Sequence, residues 1–156
     1  MSWVCAYNTS MQPTPPTFRE WHAPAPAEVG DSYIDFLRLL GTPTWITVPG
    51  EDSSRSRAIV TLLHGNEPSG LKAVHALLRR GVKPATNLGI FVASVNAALR
   101  PPYFSHRYLP DEADLNRCFN PPVDTDQHRL AQAMVAKLVA FRPEATIDTH
   151  NTSAHS

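Results

Sequence analysis

The chain has 156 residues, 42% hydrophobic and 18% charged, which bounds it to one globular core burying roughly 70% of its unfolded surface. Fourteen basic residues against fourteen acidic ones leave no global field to gather nucleic acid or an anionic membrane, and no apolar run reaches the ~18 residues that span a bilayer. No basic segment leads into an apolar one at the N-terminus, so export is not signalled. The two cysteines, Cys5 and Cys118, make no disulfide framework, and a reducing cytoplasm fits.

Residues 1 to 27, with "QPTPPT" and "APAPAE", carry proline at a density that opposes both helix and ladder pairing, which predicts a tail or extended arm. The domain then runs from 28 to 156. In "GDSYIDFLRLLG" (30–41) Asp31 is a candidate cap, apolar residues share one helical face, and Gly41 stops the helix. The β-branched runs "TWITVPG" (44–50) and "RAIVTLLH" (57–64), joined by a polar loop, suggest adjacent strands. "SGLKAVHALLRRG" (69–81) returns to the helical period with Leu71, Val74, Leu77 and Leu78, and its basic end, "LRRGVK", reads as a solvated helix C-terminus. "NLGIFVASVN" (87–96) is apolar enough for a strand buried on both faces, which completes a βαβ unit.

A long irregular segment (97–122) follows, whose length points to a functional loop. Residues 125–141 predict a helix with Leu130, Met134, Leu138 and Phe141 on its apolar face, and 144–153 a last short strand. The fold class is therefore α/β, a mostly parallel or mixed sheet flanked by helices.

In such sheets ligands gather at the carboxyl ends of the strands, where His64 and His150 both fall. Glu67 follows His64 by one tight turn. Two His and one Glu with an open position form a catalytic zinc set. HxxE alone is a weak motif; its weight comes from the strand end and from the third ligand on another strand. Asp148, two residues before His150, shares its strand face and is placed to accept an imidazole N–H. Asn151 and Thr152 read as turn residues.

"HGNEPSG", "DLNRCF" and "DTHNTS", in this order, resemble the succinylglutamate desuccinylase/aspartoacylase family, relatives of the zinc carboxypeptidases, over roughly residues 57 to 153. The resemblance implies one zinc held by His64, Glu67 and His150, a carboxypeptidase-like fold, and hydrolysis of an N-acyl amino acid or a similar amide or ester. It further implies that Asn116 and Arg117 face the carboxylate of a small-molecule substrate, as a guanidinium fork suits. Arg100, His106 and Arg107 share that loop and are candidates to line the entrance, with solvated positions the stronger expectation, and Cys118 is expected to pack beneath it.

"NAAL" (96–99) departs from the "NPRA" of the aspartoacylase branch, which argues against acetylaspartate as substrate. Family members also continue past the third ligand into a β-rich part that carries the general-base Glu. The expectation is thus an N-terminal part only, truncated after the third metal ligand, with its base beyond Ser156 and an edge open to self-association. Within the chain Asp111 and Glu144 are the carboxylates to consider as bases, with Glu144 at the wrong edge of the sheet. The rival expectation is a non-catalytic metal- or carboxylate-binding remnant.

Overall fold

The computed structural model describes residues 18–151; Cys5, Thr152 and the outer parts of the proline-rich arm and of the last strand lie outside them. Five strands and four α-helices follow one another as β1 (Arg19–His22), α1 (Tyr33–Leu40), β2 (Thr44–Val48), β3 (Asp52–Thr61), α2 (Ser69–Arg80), β4 (Thr86–Val92), α3 (Val95–Leu99), α4 (Asp126–Phe141) and β5 (Thr146–Thr149), with a single 3-10 turn at Leu115–Arg117 before α4. The sheet order is β1-β2-β4-β3-β5, and only the β2–β4 pair is antiparallel. The mixed α/β sheet expected from the sequence is present.

Two apolar layers sandwich it. Ile46, Ile90 and Val92 point to one face and pack with Phe36 and Leu37 of α1 and Leu71, Val74 and Leu78 of α2. Trp45, Val60 and Phe91, at alternate positions, point to the other and meet Ala131 and Met134 of α4, with Leu130, Leu138 and Phe141 beside them. Cys118 is buried in this second layer, as its type predicts.

The expected adjacency of β2 and β3 is corrected, because β4 lies between them. β4 is apolar on both faces and takes an interior position, while residues 49–51 pass beneath its start. Glu51 and Asp52 donate from their backbone N–H to Pro84 and Ala85 at 2.8 and 3.0 Å, and Gly50 donates to the Asn87 side chain at 3.0 Å. Three residues suffice to cross the ~10 Å of two strand spacings.

The arm is corrected too. Residues 19–22 form β1 and pair in parallel with Thr44–Thr47. "FREWH" (18–22) is the proline-free stretch between the two proline clusters, so its N–H groups remain available for a ladder. Helix α1 is capped by Ser32 rather than Asp31: the Ser32 hydroxyl accepts the Asp35 N–H at 3.1 Å and donates back to the Asp35 carboxylate at 2.6 Å. Gly41 ends α1, as predicted, and Gly81 ends α2, both in the left-handed conformation. Strand β4 stops at Val92 instead of Asn96, where Ser94 turns inward to donate to the Leu63 carbonyl at 2.8 Å and α3 begins.

Candidate metal centre

Strand β3 ends at Thr61 because Leu62, buried, takes a left-handed φ of 59°. Such a conformation costs a non-glycine residue on the order of 1–3 kcal/mol and persists only where its surroundings impose it. Here the Leu62 carbonyl accepts the Ser94 N–H at 2.7 Å. The chain then turns tightly, with the Glu67 N–H on the His64 carbonyl at 3.1 Å, and both side chains are buried. Gly65 between them has no room for a side chain: a Cβ would stand 2.6 Å from the His106 carbonyl and 2.7 Å from the Ala98 nitrogen. The Gly65 N–H donates to the Arg107 carbonyl at 2.8 Å, so the long loop is laid directly on the ligand turn.

The three expected ligands converge. His64 Nδ1 lies 2.9 Å from Glu67 Oε1, His150 Nδ1 lies 3.0 Å from Glu67 Oε2, and the two imidazole centroids are 5.4 Å apart. One donor atom from each lies within 4.8 Å of the others. A four-coordinate ion at about 2.0–2.2 Å from its donors needs them about 3.3 Å apart, so the cluster is near that spacing, and the two imidazoles approach different oxygens of Glu67.

Each imidazole is held at its far nitrogen by a carboxylate. His150 Nε2 is 2.7 Å from Asp148 Oδ2, as the spacing of those two residues predicts, and His64 Nε2 is 3.0 Å from Asp114 Oδ1. That arrangement fixes the ring orientation of metal-ligating histidines and raises their basicity. Three carboxylates, Glu67, Asp114 and Asp148, surround the two rings, with Arg107 beside two of them. The donor set and its orientation fit a metal ion.

Burial opposes ionisation of Glu67, but the Asn151 N–H and the two imidazoles outweigh it and hold this carboxyl below its usual range. Asp114 is likewise held low: burial works against it, and His64, Arg107 and the Asn116 N–H more than offset burial. His150 is pushed up, since Asp148 and Glu67 together overcome a desolvation that acts the other way.

The sequence reading passes over Asp114 and has Arg107 only as lining the entrance or as solvated. Asp114 sits where the loop enters the 3-10 turn, accepting the Asn116 N–H at 3.0 Å as its cap while it holds His64. The signal was in "DLNR", whose Asp is a cap by type. Arg107, expected to be solvated, donates from Nε to Asp114 Oδ2 at 3.2 Å and brings Nη1 to 3.6 Å from Glu67 Oε1. Nothing in its local sequence announces this.

Asn116 and Arg117 occupy the 3-10 turn directly after Asp114, with Arg117 exposed. Arg100 is exposed, and the His106 ring turns back to the Pro101 carbonyl at 3.2 Å. Glu144 lies at the far end of β5 in an ion pair with Arg55 at 2.7 Å, away from the ligands as expected, and Asp111 is exposed. An apolar hollow of about 250 Å³, lined by Pro26, Val48, Leu77 and Pro84, lies at the opposite end of α2 and contains no ligating side chain.

Among the described residues no helix is long and apolar enough to cross a membrane. No family model, curated protein or solved structure matches the chain.

Proposed function

We propose that this chain carries the metal site of a zinc-dependent hydrolase that removes an acyl group from an amino-acid-like, carboxylate-bearing small molecule through an amide or ester bond. The observation that carries the proposal is the doubly held histidine pair, each ring with one nitrogen on Glu67 and the other on a dedicated carboxylate. In a metal-ligating histidine one ring nitrogen faces the cation while a carboxylate orients the other, and here the nitrogens on the Glu67 side of both rings are the ones a cation would take. The resemblance of "HGNEPSG", "DLNRCF" and "DTHNTS" to the succinylglutamate desuccinylase/aspartoacylase family supports the same ligands and supplies the substrate class.

In this reading His64, Glu67 and His150 hold the zinc, and Asp114 and Asp148 orient the two rings. When bound, the metal supplies Lewis acidity toward a carbonyl oxygen and lowers the pKa of water. Arg107 places a cation at the mouth beside Glu67, suited to an oxygen that gains negative charge. Arg117 is exposed and ends the turn that Asp114 caps, which leaves its guanidinium fork free to take a substrate carboxylate with Asn116.

A specific observation favours a second reading, a metal- or carboxylate-binding module without turnover. Each carboxylate that touches the histidines is already committed: Glu67 to both rings, Asp114 to His64 and Arg107, Asp148 to His150. Loss of a positioned base costs about 10²–10⁴ in rate.

The experiment that tests the proposal takes zinc-loaded chain and a panel of N-acyl amino acids. Hydrolysis that disappears in Glu67→Ala supports the enzyme; stoichiometric zinc without hydrolysis supports the module; a folded chain that takes up no zinc refutes both.

A further inference from the structure

Helix α2 begins without a cap of its own. The residue at its start is Pro68, which makes no side-chain cap bond, yet the first-turn N–H groups of any helix need acceptors. One acceptor arrives from the far end of the chain: the Asn151 side-chain oxygen lies 3.4 Å from the Ser69 nitrogen, 82 residues away. Asparagine is among the residues best suited to capping, because its short side chain carries an oxygen to the helix N–H groups.

The same residue reaches the metal site through its backbone. The Asn151 N–H donates to Glu67 Oε2 at 3.1 Å, the oxygen that also faces His150 Nδ1. Asn151 therefore grips α2 with its side chain and Glu67 with its main chain, one residue after the third ligand. Close seating makes this grip possible. A Cβ at Gly70 would fall 2.1 Å from Thr149 Oγ1 and 2.3 Å from Thr61 Oγ1, so only glycine lets the first turn of α2 settle onto the ends of β3 and β5.

The need for a second anchor is plain from β5 itself. Among the described residues it is a four-residue edge strand paired on one side only, with Ile147 62% exposed. Left to that ladder, His150 would hang from one of the weakest elements of the sheet.

We propose that Asn151 is a positioning residue: by capping α2 from the other end of the chain it docks the segment carrying His150 onto the turn carrying Glu67, and so sets the distance between the ligands. This rests on the metal-site reading above for its effect on zinc, although the cap itself stands without metal.

The test uses the full chain, zinc alone as the probe, and the variants Asn151→Ala and Asn151→Asp. Competition with a chelator is expected to show zinc bound about tenfold more weakly in Asn151→Ala and within about threefold of wild type in Asn151→Asp, which keeps the acceptor. In metal-free protein, amide exchange at Ser69 is expected to quicken about tenfold in Asn151→Ala alone. Equal zinc affinity in wild type and Asn151→Ala, or an Asp variant as weak as the Ala variant, overturns the proposal. Should wild type bind no zinc, the metal-site reading falls by itself, and unchanged Ser69 exchange would sink the cap as well.

Discussion

The two histidines of the site are mounted very differently. His64 follows a central strand, is 2% exposed, and is enclosed by Glu67, Asp114 and the loop that Gly65 receives. His150 follows the edge strand β5, with a third of its side chain exposed and Asp148 beside it 43% exposed. One half of the metal centre is thus built into the core and the other is brought to it by a strand with few contacts. Regions of low local stability are where exchange and opening concentrate, so the site is expected to assemble by docking of β5 onto a preformed His64–Glu67 turn.

The sharpest way to break this comparison is to remove each imidazole in turn. His64→Ala is expected to weaken zinc binding on the order of a thousandfold and to lower the melting temperature of the metal-free chain, since it takes from part-buried Asp114 and buried Glu67 one of the partners that offset their burial. His150→Ala should weaken zinc on the order of a hundredfold with little change in apo stability. Equal effects in chelator competition and thermal melts would erase the distinction between core and edge.

The outer carboxylates grade the same contrast more finely. Asp114→Asn and Asp148→Asn are each expected to cost between about 10-fold and 100-fold in zinc affinity. The larger loss belongs to Asp114, whose side chain is 18% exposed and whose interaction is less screened by water. A larger loss in Asp148→Asn would reverse that order.

Gly70→Ala tests the docking surface rather than the ligands. Forcing a methyl against Thr149 and Thr61 costs about 1–3 kcal/mol by overpacking, read as a melting temperature several degrees lower. Unchanged stability would mean that β5 already sits farther from α2 than the distances at Gly70 require.

The smallest effect lies at the other end of β5. The Glu144 carboxyl is held below its ordinary range chiefly by its hydrogen bond to Arg55. A depressed carboxyl adds stability above its unfolded value and loses it as pH falls through the folded one. The gap in melting temperature between wild type and Glu144→Gln is therefore expected to be small, to be widest above about pH 5, where the unfolded carboxyl is ionised, and to close only as pH falls through the lowered folded value. A gap that persists in acid would show that the Arg55–Glu144 charge pair is not its source.

Composition, periodicity and strand-end position were enough to place the α/β class, the helix faces of α2 and α4, and His64, Glu67 and His150 as one cluster, because these follow from local pattern and from the geometry of strands ending at a common rim. What the tertiary structure alone decided are the contacts between segments distant in sequence. β4 inserts between β2 and β3, β1 forms within the proline-rich region, and Asp114 and Arg107 turn from the loop onto His64 and Glu67. Asn151, legible only as a turn residue, caps a helix 82 positions away. Local residue preferences carry no information about which partner a polar group will meet across the fold; that choice is made when burial leaves each donor and acceptor one place to go.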